Sequence, residues 1–132
     1  MKPMLVDTSV WIDFFRGKHT SACRLLNEYL EQDHPVFLSP AIIQEILQGI
    51  RSDSDYKKTK DILLNFEILS LNDVDAALGA AELYRHIRKK GGTIRKSNDC
   101  LIAYYAIYFK IHLLHNDRDF KIISKYSDLK LV

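Results

Sequence analysis

Short apolar runs alternate with helix-length segments along this chain, and no other feature restricts the fold as much. The runs predict strands at residues 4–6, 35–38, 67–69 and 111–115, and residues 129–132 are a candidate fifth strand at an edge. Strands that are separated by helices form parallel sheets covered on both faces. We therefore expect an α/β fold with a parallel sheet of about four to five strands, flanked by helices on both faces.

Capping residues and glycines set the predicted helix boundaries. Thr8 or Ser9 can cap the first helix, and Gly17 ends it. Ser39 and Ser97 are expected to cap two later helices, because a serine hydroxyl accepts a hydrogen bond that the first turn leaves unmade. The other predicted helices cover residues 21–32, 53–66, 73–89 and 118–125.

Length and composition are those of one compact domain, expected over residues 1–132. With 132 residues, 47% of them hydrophobic, the chain can bury enough surface to fold without disulfides. Cys23 and Cys100 are too far apart for a zinc ribbon and are expected to be free thiols. The N-terminus has no signal-peptide pattern, and the apolar run 100–109 is about half as long as a membrane span. These features predict a cytoplasmic protein without membrane segments.

Four acidic residues fall where a parallel fold brings loops together. Asp7 and Asp117 directly follow predicted strands. Glu45 lies in the helix after the second strand, and Asp99 opens a later helix. Because the ligand crevice of an open α/β sheet lies outside the carboxyl ends of its strands, these residues are expected to meet. Carboxylates that close repel one another unless a divalent cation neutralises them, so the sequence predicts a magnesium or manganese site.

Each of these acids also has an ordinary structural explanation. Asp7, Asp99 and Asp117 precede or open helices, where an acid caps the first turn or complements the helix dipole. Glu45 lies about 60 degrees from Ile42 on the helical wheel, beside the buried stripe, and this position suits a solvent-facing glutamate as well. Both explanations stay open for each residue alone, whereas the order of all four acids favours a common site.

Charge is distributed unevenly once these acids are set aside. The chain has 19 basic and 17 acidic residues, a net charge of +2, and the remainder carries +6 when the four acids are left out. A basic surface around an acidic cleft suits a polyanion. The candidate RNA-binding residues lie in one segment without acids and are Arg85, Arg88, Lys89, Lys90, Arg95 and Lys96. Cations that complement the dipole at a helix end explain the segment equally well.

Four motifs carry the acids in a fixed order: LVDTSVWIDFFRG, PAIIQEILQG, SNDCLIAYYA and LLHNDRDF. Together they resemble the PIN-domain nucleases, especially the VapC-type toxins of toxin-antitoxin pairs, over essentially the whole chain. The resemblance implies a PIN-like fold and an endoribonuclease that hydrolyses RNA phosphodiester bonds with Mg²⁺ or Mn²⁺. It also implies a cognate VapB-type antitoxin as partner, and we expect a homodimer.

Carried over to this chain, the resemblance implies four catalytic and metal-binding acids, Asp7, Glu45, Asp99 and Asp117. Asp119 is a further candidate metal ligand, because the family's last motif often pairs an Asn or Asp with a second Asp two residues on, and NDRDF offers Asn116, Asp117 and Asp119 as candidates. Asp117 is nearer to the strand and ranks first. Thr8 and Ser9 are expected to position a water or the scissile phosphate, although capping of the helix explains them equally well.

Two other functions are compatible with parts of this pattern. A PIN-domain nuclease of RNA maturation or decay would have the same acids and no antitoxin. A non-catalytic RNA- or protein-binding module would have little reason to keep a full set of repelling carboxylates. Acids outside the four motif positions, such as Asp13 and Asp33, are expected to be dispensable for activity.

Overall fold

A four-stranded parallel sheet forms the centre of the computed structural model, which describes residues 1–132. The strands are β1 (Met4–Val6), β2 (Val36–Leu38), β3 (Glu67–Ile68) and β4 (His112–Leu114). Their order in the sheet is β3-β2-β1-β4, and every neighbouring pair runs parallel. The predicted α/β class and parallel sheet are confirmed.

Seven helices connect and flank the strands. In chain order they are α1 (Thr8–Phe15), α2 (Ser21–Glu31), α3 (Pro40–Gln48), α4 (Asp53–Leu63), α5 (Asp73–Lys89), α6 (Asn98–Phe109) and α7 (Asp119–Lys125). Each connection between consecutive strands contains two helices, which is the usual way to cross between parallel strands. None of these helices has the length and apolar composition needed to cross a membrane.

The candidate fifth strand is reduced to a single bridge at the edge of the sheet. Leu131 pairs in parallel with Leu113. The N–H of Leu113 donates to the carbonyl of Lys130 at 2.9 Å, and the N–H of Val132 donates to the carbonyl of Leu113 at 3.0 Å. Residues 129–132 therefore lie along β4 without forming a strand.

Ser39 and Ser97 occupy the predicted cap positions of α3 and α6, but none of the predicted capping hydrogen bonds forms. Asp7 rather than Thr8 or Ser9 caps α1, because its extended backbone directs the carboxylate to the N–H of Ser9 at 3.0 Å. Ser97 has helical backbone angles, and its side chain makes no capping hydrogen bond to α6. Ser39 precedes α3 without a side-chain capping bond, and its buried hydroxyl has no partner. Helix starts therefore agreed with the sequence patterns better than the capping atoms did.

One core joins the sheet to the helices on both sides. All three residues of β1 are fully buried, as expected for a strand with neighbours on both edges. Trp11 of α1 and Phe120 of α7 are the largest fully buried side chains, and both belong to the same cluster of buried residues as β1. The elements that carry the acidic motifs are therefore anchored in a common hydrophobic core.

Candidate active site

The carboxyl ends of β1 and β4 lie side by side and bring two acid-bearing loops together. Val6 pairs with Leu114 in the parallel register, and the N–H of Asp7 donates to the carbonyl of Leu114 at 2.9 Å. The chain leaves β1 at Asp7 and β4 at His115, so the residues after these strands share one edge of the sheet. This edge is where open α/β sheets bind their ligands.

Asp7 is buried at this edge and is held by the residue two positions further on. Its Oδ2 accepts hydrogen bonds from the N–H of Ser9 at 3.0 Å and from the Ser9 hydroxyl at 2.6 Å. Burial raises the pKa of Asp7, the hydrogen bonds from Ser9 oppose the rise, and the negative charge of Glu45 adds to it. Asp7 is therefore both the cap of α1 and a carboxyl group whose ionisation is disfavoured.

Glu45 lies on α3 and is fixed by two side chains from other elements. Its Oε1 accepts a hydrogen bond from the Thr8 hydroxyl at 2.7 Å, and its Oε2 accepts one from Nδ2 of Asn98 at 3.3 Å. Ile42 and Ile46 on the same helix are buried, while Glu45 is half-buried. The predicted position at the flank of the buried stripe agrees with the structure. Glu45 thus connects α3 to the first turns of α1 and α6.

Asp99, in the first turn of α6, is buried and has one carboxylate oxygen without a partner. Only 3% of the residue is exposed, and Oδ2 accepts no hydrogen bond. Burial is the largest cause of a pKa raised to about 7, and the charge of Asp7 is the next. Asp117 and Asp119 add to the rise, whereas the nearby Lys96 opposes it. A bound cation would relieve both the missing hydrogen bond and the repulsion.

Asp117 and Asp119 bind the segment that precedes α6, through Arg95 and Lys96. Oδ2 of Asp119 accepts hydrogen bonds from the backbone N–H groups of Arg95 at 3.1 Å and Lys96 at 3.2 Å. Asp117 forms ion pairs with Lys96 and, at 3.5 Å, with Arg95. Burial alone would raise the pKa of Asp117, but hydrogen bonds from Lys96 and from the N–H of Asp119, together with the two cations, lower it overall.

The predicted basic segment divides into two parts with different surroundings. Arg95 and Lys96 form ion pairs with the acids after β4. The other four cations are exposed near the end of α5 and form no ion pair: Arg85, Arg88, Lys89 and Lys90. The sequence analysis placed all six cations in one candidate RNA-binding segment, but only the four at the end of α5 present uncompensated charge to solvent.

Comparison with known proteins identifies the family. The PIN domain profile matches residues 4–126. The chain belongs to the PIN-domain family. Over 131 residues it is 32% identical to the VapC ribonuclease of Mycobacterium bovis and to Ribonuclease VapC11 of Mycobacterium tuberculosis, and each match covers 96% of both chains. The resemblance that the four motifs indicated is confirmed.

Solved structures share the fold of this PIN domain. A chain in the crystal structure of VapBC2 from Rickettsia felis superposes with a TM-score of 0.76 and 21% identity, over 98% of this chain and 96% of that one. A chain of VapBC-1 from nontypeable Haemophilus influenzae gives a TM-score of 0.73 and 19% identity over the same shares. The predicted PIN-like architecture is therefore confirmed.

The acids of this PIN domain fit a divalent cation. Asp99, Asp117 and Asp119 each offer one oxygen, and these atoms lie within 4.8 Å of one another. A cation with oxygen ligands at about 2.1–2.4 Å brings those oxygens to about 3–5 Å apart. Asp7 and Glu45 lie outside this group of three but affect it electrostatically. The charge of Glu45 raises the pKa of Asp7, and the charge of Asp7 raises the pKa of Asp99.

Of two asparagines in the site, the sequence interpretation missed Asn98 and named Asn116 only as a candidate of the last motif. Asn98 donates to Glu45, as described above. The backbone N–H of Asn116 donates to the Ser9 hydroxyl at 3.0 Å, and its Nδ2 donates to Oδ2 of Asp13 at 2.8 Å. Both asparagines precede a motif aspartate, and for Asn98 this was the only available signal. Their partners lie 53 and 103 residues away in sequence, so spacing could not identify them.

Proposed function

We propose that this PIN-domain protein is a divalent-metal-dependent endoribonuclease and the toxin of a toxin-antitoxin pair. The observation that carries the proposal is the buried, unpartnered Oδ2 of Asp99, which lies beside two further aspartates with oxygens in reach of one cation. The relatives named VapC ribonucleases, 32% identical over nearly the whole chain, support the same activity.

The metal would be held by Asp99 and Asp117, with one oxygen from Asp119, and the nearby charge of Asp7 would add to its attraction. Magnesium and manganese both take oxygen ligands, so the carboxylates suit either ion. When bound, the cation supplies Lewis acidity that polarises a phosphoryl oxygen and lowers the pKa of an attacking water. Asp119 also holds the backbone of residues 95 and 96, so it supports the site as well as lining it.

Glu45 is the residue assigned to orient the attacking water and to accept its proton. Its two oxygens are fixed by Thr8 and Asn98, and each oxygen retains a lone pair for a further hydrogen bond. The hydroxyls of Thr8 and Ser9 are already used on Glu45 and Asp7. We therefore assign both to the positioning of acids, in place of the direct contact with phosphate that the sequence suggested.

The exposed cations at the end of α5 are proposed to bind the RNA backbone. Arg85, Arg88, Lys89 and Lys90 have no acidic partners, so their charges are available to phosphates. Arg95 and Lys96 lie beside the candidate metal ligands Asp117 and Asp119. Once a cation neutralises Asp117, the Lys96 ammonium would be free to turn from that carboxylate to a bound phosphate.

Cleavage of total cellular RNA, with mapping of the new 5′ ends, tests the activity. We expect the wild-type protein to cleave with millimolar manganese or magnesium and to be inactive with EDTA. Asp99→Asn and Asp7→Asn should lose activity roughly 100-fold or more, because each removes charge that a cation needs. The control is Asp33→Asn, at an exposed residue with φ 54°, a conformation that asparagine also adopts. Cleavage retained by both site variants, with native circular dichroism, would refute the proposal.

A VapB-type antitoxin is the proposed protein partner. The solved structures named above are of VapBC proteins, and one of them is bound to promoter DNA. Expression of this chain alone should inhibit growth, and co-expression with an adjacent antitoxin gene should restore growth and give a stable complex on gel filtration. Homodimerisation is a further prediction, which light scattering tests against the 15.3 kDa mass of one chain. A harmless chain that binds no such product would contradict the toxin assignment but not the nuclease.

A further inference from the structure

Two residues of α1 form hydrogen bonds to the loop that carries Asp117. Ser9 and Asp13 are four residues apart and therefore lie on one face of the helix. Both bind Asn116, the residue immediately before Asp117. The Ser9 hydroxyl accepts from the backbone N–H of Asn116 at 3.0 Å, and Oδ2 of Asp13 accepts from its Nδ2 at 2.8 Å. Main chain and side chain of Asn116 are thus fixed from the same helix.

The same helix face is also connected to the first acid of the site. The Ser9 hydroxyl donates to Oδ2 of Asp7 at 2.6 Å while it accepts from Asn116. This chain of hydrogen bonds sets the spacing between the loop after β1 and the loop after β4. Asp13 restrains the second loop at a separate point, through the side chain of Asn116, and its own side chain is 13% exposed.

We propose that Asp13 is a positioning residue of the metal site, which holds Asn116 and thereby fixes the carboxylate of Asp117. This inference rests on the proposed metal-dependent activity. It replaces the expectation from sequence that Asp13 is dispensable. Residues that orient metal ligands through a hydrogen bond commonly change metal affinity by about 10-fold to 100-fold when removed. Asp13 would act in that way without touching the cation.

The other oxygen of Asp13 provides a matched control. Oδ1 forms an ion pair with Lys18 at 3.3 Å, and the Lys18 side chain is 55% exposed. Lys18→Met removes this ion pair and leaves the hydrogen bond to Asn116. Asp13→Asn removes the charge but keeps an oxygen that can accept from Asn116. Asp13→Ala removes both contacts, and Asn116→Ala removes the partner.

Manganese affinity, measured by calorimetry on folded protein, separates these contacts. We expect Asp13→Ala and Asn116→Ala each to weaken binding about 10-fold, and the double variant to be no weaker than either alone. Asp13→Asn and Lys18→Met should stay within about 3-fold of the wild type, because both keep the hydrogen bond. Exchange of the Asn116 side-chain amide, which donates to Asp13, should become faster in Asp13→Ala alone among the Asp13 and Lys18 variants.

The outcomes separate the positioning role of Asp13 from the proposed nuclease function. Wild-type affinity in Asp13→Ala, or a loss in Lys18→Met equal to that in Asp13→Ala, would overturn the positioning role while wild-type cleavage of RNA stands. A wild-type protein that neither binds manganese nor cleaves RNA would overturn the proposed function itself. Unchanged exchange of the Asn116 side-chain amide in Asp13→Ala would likewise overturn the positioning role.

Discussion

Asp99 combines two demands that oppose each other in the metal-free protein. Its place in the first turn of α6 is favourable for a negative charge because of the helix dipole. Its burial and the surrounding carboxylates are unfavourable for the same charge, and they prevail, since the pKa is raised to about 7. A carboxyl group with only a capping role would be expected to have a lowered pKa instead. Asp99 is therefore placed for a cation at the expense of stability without one.

The raised pKa of Asp99 predicts how stability without metal depends on pH. The folded protein holds the proton up to about pH 7, whereas the unfolded chain releases it near its ordinary value of 3.8. Stability from this group is therefore present at low pH and is lost as pH rises through 7. Asp99→Asn cannot ionise, so its free energy of unfolding should exceed that of the wild type by an amount that grows from about pH 4 to pH 7 and then levels off, at on the order of 4 kcal/mol.

Urea unfolding of both proteins in EDTA at several pH values measures this difference. Saturating manganese at pH 8 should raise the free energy of unfolding of the wild type more than that of Asp99→Asn, because a ligand that binds only the folded state stabilises it. Asp33→Asn should follow the wild type at every pH. Parallel curves for Asp99→Asn and the wild type in EDTA would mean that Asp99 is ionised without metal and carries no repulsion.

At the scale of the elements, Gly79 allows α5 to approach α6. Glycine inside a helix costs about 0.5–1 kcal/mol relative to alanine. Here a Cβ atom at position 79 would lie 2.2 Å from Cζ of Tyr104, so the tyrosine ring occupies the space of the missing methyl group. Because Tyr104 and Asp99 belong to the same helix, the packing of α5 on α6 also sets the position of a site residue.

Alanine at position 79 should therefore destabilise the protein. The strain of displacing the Tyr104 ring, about 1–3 kcal/mol, exceeds the gain in helix propensity, so Tm should fall. Tyr104→Ala should suppress the additional loss from Gly79→Ala, which a double-mutant cycle measures. Gly49→Ala is the control, because φ is −84° there and the nearest atom to a new Cβ is 3.7 Å away. A Tm for Gly79→Ala at or above that of the wild type would contradict this packing.

Element boundaries were predictable where local chemistry decides them. The bounds of α5 agree with the sequence prediction, since Asn72 caps it and Gly91 follows it with positive φ. α4 ends at Leu63 rather than at residue 66, because its last residues turn into the two-residue strand β3. The length of β3 is set by its pairing with β2, and the pattern of apolar residues along the chain carries no information about that pairing.

The candidate site was predictable in part for the same reason. Strand ends and helix starts placed Asp7, Asp99 and Asp117 correctly, because a parallel sheet brings such positions to one edge. The ion pairs of Arg95 and Lys96 with acids more than 20 residues away were not predictable, since they depend on how the segment before α6 folds over α7. Composition showed only that the segment is basic.

At the scale of the whole molecule, the acids at the edge of the sheet and the exposed cations at the end of α5 form two separate groups. The division of the cations predicts two separable effects on RNA cleavage. Lys89→Ala/Lys90→Ala should weaken RNA binding and reduce its dependence on salt by about 0.7 in the log–log slope for each lost phosphate contact. Manganese affinity should not change, because neither lysine forms an ion pair with an acid.

Lys96→Ala should act on the metal instead. Its ammonium pairs with Asp117 in the metal-free protein, so a cation must compete with it for that carboxylate. Removal of Lys96 should therefore raise manganese affinity while it lowers the cleavage rate, because the phosphate loses a nearby positive charge. Calorimetry measures manganese affinity in each lysine variant. Filter binding measures RNA affinity at several salt concentrations, with Asp99→Asn added to each variant so that the RNA is not cleaved. Together the two measurements distinguish Lys96 from the pair Lys89 and Lys90. Equal effects of both substitutions on both measurements would mean that the six cations form one undivided surface.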